Sequence, residues 1–182
     1  MKRIFCIAPL IAAAAAFSAC SAVNDAASSA SLPPDISFSA EADITYGGED
    51  CKVQIRRLEA GNWEFCVTEP YPAEGLVITV NGGVTKLKMY DMETIADINA
   101  DAVSMARAVA AAYDSAVSGG ADTARDNDGG SVSGSSEFGE YSIKLGENDC
   151  PETLDAAVGK LSVRFTKFAA LERDLSEPEI IE

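Results

Sequence analysis

Histidine is absent from all 182 residues. Its absence removes Ser-His-Asp and Cys-His nucleophile pairs, paired-histidine zinc sites and imidazole acid–base chemistry. An enzyme built from this chain would depend on carboxylates, tyrosine or lysine. A carboxylate hydrolase needs two carboxyls facing each other across a cleft, and the acids here fall on the solvent-facing positions of strand patterns. Cations are also scarce: 14 Lys and Arg stand against 29 Asp and Glu, for a net charge of −15. Nucleic acid is a poor partner for such a surface, because phosphate contacts require Lys and Arg. A polybasic hold on anionic lipid is excluded for the same reason. No CxxC spacing occurs, so neither a structural zinc site nor a thioredoxin-type redox pair is supported. The sequence implies no cofactor and no metal, and the expectation is a protein that is not an enzyme.

What the chain does have begins at its start. Lys2-Arg3 is followed by an apolar run from Ile4 to Ala19 and then by Cys20. Charge, apolar segment and small residues in that order make a secretory signal peptide. The run is 16 residues long, short of the roughly 20 that span a bilayer. With Ser18 and Ala19 immediately before a cysteine, the segment resembles a bacterial lipoprotein signal, although Phe17 stands where that family usually has Leu. The resemblance implies that residues 1–19 are removed and that Cys20 becomes a diacylglyceryl-modified mature N-terminus, tethered to the membrane. Cleavage after Ala16-Phe17-Ser18, giving a plain secreted protein, is the alternative. Several acyl chains hold a protein stably where one does not.

Removing residues 1–19 leaves 163 residues, enough for one domain with a core. Loss of Lys2 and Arg3 changes the net charge from −15 to −17. Residues 20–35 are mostly Ala, Ser, Asn and Asp, closed by Leu32-Pro33-Pro34. They read as a flexible tether with a reach of ~20 Å.

From Ile36 the sequence alternates. Ile36, Phe38, Ala40, Ala42, Ile44 and Tyr46 fall on one face of a strand, with polar residues between them. Further strands are predicted over 51–59, 62–68, 76–80 and 84–90, separated by Gly47-Gly48, Ala60-Gly61, a Pro70–Pro72 break and Asn81-Gly82-Gly83. This is an antiparallel meander with one apolar face. A short second helix is expected within 92–98. The main helix is expected from Asn99 or Asp101, either of which can cap it, to Val117, before Gly119-Gly120. Its alanines make it slim enough to lie close to a sheet. Residues 118–130 read as a polar loop, and Asp126-Asn127-Asp128-Gly129 as a turn rather than a calcium loop. Strands return at 131–136, 140–145, 153–157 and 160–168, and an acidic tail closes the chain over 171–182. The fold class is therefore α+β.

Export permits a disulfide. Cys51, Cys66 and Cys150 allow three single pairings. Cys51 with Cys150 is the expected one, since each lies at the end of a predicted strand, and three free thiols is the alternative.

Several strands, one Ala-rich helix and several more strands behind a lipoprotein leader resemble the carrier fold of the LolA/LolB and LppX/LprG type. The carrying residues are Trp63 through Pro70, the Asn81-Gly82-Gly83 hairpin ending in Tyr90, Gly139 through Leu145, Pro151, and the Leu161–Phe165 strand. Small anchored lipoproteins of the Gram-positive envelope share this layout. The resemblance implies a curved antiparallel half-barrel over residues 36–170, wrapping the helix around a greasy interior. It implies a non-enzymatic carrier of a lipid or lipoprotein acyl chain, with Phe38, Trp63, Phe65, Leu87, Met89, Tyr113 and Phe165 as candidate ligand walls. An envelope interaction or sensing module with a filled core is the second reading. Either would work at the extracytoplasmic face of the cell membrane.

Overall fold

The computed structural model describes residue 32 and residues 36–96, 100–119, 121–126, 129–146 and 149–171. The leader 1–19, Cys20, almost all of the tether 20–35 and the tail beyond Leu171 lie outside the described residues. The chain forms β1 (Phe38–Tyr46), β2 (Glu49–Glu59), β3 (Asn62–Glu69), β4 (Val77–Asn81), β5 (Val84–Met89) and β6 (Met92–Ile95). Helix α1 (Asp101–Val117) follows, then β7 (Asp122–Asp126), β8 (Gly129–Ser136), β9 (Gly139–Leu145), β10 (Pro151–Ala156) and β11 (Leu161–Ala170).

All eleven strands belong to one open, curved antiparallel sheet, in the order β6-β5-β4-β3-β2-β1-β11-β10-β9-β8-β7. The chain starts at the centre and meanders outward to one edge. It crosses to the opposite edge through α1, and meanders back until β11 pairs with β1, Ile44 opposite Val163. The helix is thus the crossover between two meanders. It comes closest to β8 on one flank and β4 on the other. This layout is consistent with the half-barrel that the family resemblance implies.

Alternation sorts the side chains as expected. Phe38, Ala40, Ala42 and Ile44 are buried along β1, and Val53 and Ile55 along β2. The facing surface of α1 buries Val103, Met105, Ala106, Val109, Ala110, Tyr113 and Ala116. On the outer face, cross-strand charges alternate in sign. Lys52 meets Glu69 at 2.9 Å, Lys167 meets Glu41 at 2.8 Å, Lys86 meets Glu93 at 2.9 Å and Arg164 meets Asp43 at 3.4 Å. Exposed pairs of this kind contribute little each, but they keep the outer face wet and the inner face dry. The Lys86 contact also holds the Glu93 carboxyl below its ordinary pKa.

Four sequence expectations are corrected. Residues 92–95 are an edge strand, not a helix: they continue the ladder from β5, with Met89 opposite Met92. A four-residue segment has no period of its own, and pairing decides it. Residues 122–126, expected as loop, pair with β8 as the other edge, Thr123 opposite Val132. The N-cap of α1 is Ala100, with no side-chain cap; Asp101 is the first helical residue and acts through its charge in the first turn. Leu32, inside the expected tether, is 5% exposed and packs in the core.

Gly159 shows how tightly the centre of the sheet is closed. It sits at φ +57° in the turn between β10 and β11, and a Cβ there would collide with the Tyr46 ring. Its carbonyl accepts the Gly47 amide at 2.7 Å, which ties this turn to the one after β1.

Candidate functional site: the interior between helix and sheet

The inner face of β2 carries Arg57 in phase with Val53 and Ile55, so its side chain projects towards α1 rather than into water. Trp63 of β3 stands opposite it in register. Asp114 of α1 meets both. Arg57 Nε donates to Asp114 Oδ1 at 3.0 Å, while Trp63 Nε1 and the Gly61 amide donate to Oδ2 at 2.8 and 2.9 Å. Arg57 Nη1 also donates to the Ile36 carbonyl at 2.8 Å. The Arg57 side chain is 1% exposed and that of Asp114 20%. A charge this deep is tolerated only when paired and hydrogen-bonded, and one carboxylate supplies that for the arginine, the indole and a hairpin amide together.

Around this ion pair the interior is aromatic. Phe38 lies edge-on to Trp63 at 5.6 Å between centroids, tilted against Tyr113 at 5.2 Å and stacked on Phe168 at 4.6 Å. Trp63 contacts Phe65 at 5.9 Å and Tyr113 at 5.4 Å. The Arg57 guanidinium sits 5.4 Å from the Tyr113 centroid and 5.7 Å from that of Trp63, within cation–π reach.

Four of the seven predicted wall residues, Phe38, Trp63, Phe65 and Tyr113, are thus brought into one ring cluster. Phe165 joins the same inner face from β11 and is buried. Leu87 and Met89 are not in the cluster. They lie on the inner face of β5, half-buried, beside Met92, which is 71% exposed. The inner apolar surface therefore continues from the core through half-buried Leu87 and Met89 to a lip that ends in exposed Met92. The rings occupy the interior itself. Four clefts among the described residues, of 280 to 450 Å³, are lined largely by outer-face groups such as Asp43, Lys52, Glu69 and Arg164.

Two buried hydroxyls have no hydrogen-bond partner among the described residues: Tyr113 Oη and Thr85 Oγ1. Burial pushes the Tyr113 phenol far above its ordinary pKa; Arg57 opposes the shift, and Asp114 and Cys150 add to it.

The expected Cys51–Cys150 disulfide is not formed; Cys51, Cys66 and Cys150 are all free thiols. Strands β1 and β11 lie between β2 and β10, which is about three spacings of ~4.8 Å. A disulfide needs Cα atoms within about 7 Å. The Cys51 thiol instead donates to Met105 Sδ at 3.7 Å, and burial raises its pKa, with Asp50 adding to the shift. Among the described residues no group of three His, Cys, Asp or Glu side chains could hold a metal. No helix among them is long and apolar enough to cross a membrane.

Sequence reasoning missed Arg57 and Asp114. The signal was present for Arg57, a charge on the apolar parity of β2. Asp114 shows only as a lone acid beside Tyr113 late in an alanine-rich helix.

No family model and no curated protein matches the sequence. Among solved structures the fold is similar to an uncharacterised conserved protein from Thermus thermophilus, with a TM-score of 0.47 and 12% identity over 76% of this chain and 81% of that one. It is similar to a LolA superfamily protein from Nitrosomonas europaea, with a TM-score of 0.43 and 8% identity over 79% and 90%. It is also similar to a protein described as an outer membrane lipoprotein-sorting domain from Vibrio parahaemolyticus, with a TM-score of 0.39 and 6% identity over 79% and 87%.

The buried network and its neighbour can each be tested by substitution. Asp114→Asn leaves Arg57 charged and buried without its counter-ion, and is expected to lower unfolding stability by about 3–5 kcal/mol in urea titration. The double variant Arg57→Met with Asp114→Asn should recover most of that loss, since it removes the buried charge while the asparagine carbonyl still accepts from the Trp63 indole or the Gly61 amide. Tyr113→Phe removes an unsatisfied hydroxyl and should raise stability by about 1 kcal/mol at neutral pH. Because folding raises the Tyr113 pKa, its contribution is intact below the unfolded value of about 10 and is lost as pH climbs above it. The stability of Tyr113→Phe, measured from about pH 8 to 12 across that value, should therefore fall less steeply than that of the wild type.

Proposed function

We propose that the protein is a non-enzymatic, lipid-anchored binder of the envelope that takes up an acyl-chain ligand between α1 and the sheet. One observation carries this reading: an apolar, ring-lined interior whose surface continues through half-buried Leu87 and Met89 to exposed Met92 at the lip. An acyl chain has no hydrogen bonds to satisfy and gains ~0.8 kcal/mol for each methylene removed from water. It can lie first along the lip and then replace ring contacts inside. Entry to the centre displaces Phe38, Trp63 and Tyr113 from one another and separates α1 from the hairpin between β2 and β3. The leader and Cys20 supply the anchor, with the domain at the extracytoplasmic face of the membrane.

A filled-core interaction module is the second reading. The ring contacts of the interior favour it, as do the exposed apolar side chains Tyr90, Met92 and Ile95 along the β5–β6 edge.

A diacylglycerol with brominated acyl chains separates the two. Trp63 is the sole tryptophan, and bromine atoms entering between helix and sheet must quench its emission. Saturable quenching at micromolar lipid supports the carrier. Unchanged emission from the folded protein overturns it in favour of the filled module. The anchor is tested separately: mass spectrometry of the membrane fraction should find a chain that begins at a diacylglyceryl Cys20. Recovery of an unmodified chain from the medium would refute the anchor.

A further inference from the structure

The interior holds few polar groups, and their partners distinguish them. Arg57 and Trp63 are both satisfied by Asp114. Tyr113 is not: its ring is 0% exposed, wedged between Phe38 and Trp63, and its hydroxyl meets no acceptor among the described residues. A buried donor without a partner costs free energy in the folded state, so it stands out beside an indole and a guanidinium whose contacts are made. An acceptor arriving beside it gains a hydrogen bond without breaking a protein one.

We infer that the Tyr113 hydroxyl is a ligand-binding donor and that it selects an acyl lipid by a neutral ester carbonyl. The inference rests on the carrier reading above. Chain length cannot provide this selection, because the surrounding rings are indifferent to what sits between two methylene runs. The neighbouring charges narrow the class further. The Arg57 guanidinium is already taken by Asp114, so a free carboxylate entering the same layer finds that cation paired and meets the Asp114 carboxylate instead. A fatty acid anion is therefore disfavoured, and an ester, which keeps the carbonyl without the charge, is preferred. Burial keeps the phenol protonated across the physiological range, so it always presents its proton.

The test compares dioctanoylglycerol with its dialkyl ether analogue, which has the same chains and no carbonyl, by calorimetric titration of the full chain. Wild-type protein should bind the ester about five- to tenfold more tightly than the ether, the value of one buried hydrogen bond. Tyr113→Phe should bind both at the ether level while remaining folded. Thr85→Val, which removes the other orphan hydroxyl, should keep the preference. Equal affinity of the wild type for ester and ether overturns the inference and leaves the carrier reading standing. So does a preference that survives in Tyr113→Phe, or one that disappears in Thr85→Val. Binding of neither lipid by the wild type overturns the carrier reading, and this inference with it.

Discussion

One carboxylate holds the architecture together. Asp114 accepts from Arg57, Trp63 and the Gly61 amide, and so joins the helix to two strands and to the hairpin between them. Through Arg57 Nη1 the same network reaches the Ile36 carbonyl, where the chain enters β1. Removing two charges from water costs several kcal/mol per ion, and the attraction between them does little more than offset that. What the pair contributes is position. The helix is the crossover between two meanders, with alanines along much of its length. Small side chains alone would let it slide on an apolar sheet; the carboxylate fixes its height and rotation, and with them the place of Tyr113.

That placement divides the molecule into two chemistries. Outside, the sheet presents charges that pair across neighbouring strands at 2.8–3.4 Å, a surface that favours water over lipid. Inside, aromatic rings and branched aliphatic side chains exclude water almost completely. The division is interrupted on β5 and β6, where the inner face continues through half-buried Leu87 and Met89 to exposed Met92. An apolar strip at the rim of a ring-lined interior is where an acyl chain would first be held. The unsatisfied phenol deeper in is where its polar end would be read.

Much of this is legible from residue order. The parity of Phe38, Ala40, Ala42 and Ile44 and that of Trp63, Phe65 and Val67 predict the inner faces of β1 and β3, because a strand has period two and one wet face. The helix is equally plain from its spacing and the glycines that follow it. Other features are hidden, and each for its own reason. Strand β6 is four residues long, and its identity comes from the ladder offered by β5. Strand β7 is a polar edge with no apolar alternation to betray it. Cys51 and Cys150 look alike as strand-end cysteines, but the sheet order sets β1 and β11 between their strands. Arg57 carries its clue in its parity and is still obscured, since a lone cation among alternating residues more often points to water.

Residue order alone is enough for the class of the protein: a strand-rich domain with one long helix, no imidazole chemistry and an acidic composition. These are properties of composition and local period, which any fold of the chain must respect. Which residues meet is a matter for the folded chain. Folding sets Arg57, Trp63 and Asp114 against one another across 51 to 57 residues of sequence, keeps Cys51 from Cys150, and isolates the Tyr113 hydroxyl. Such contacts depend on strand order and on the path of a crossover, and those are fixed by how the whole inner face is covered at once.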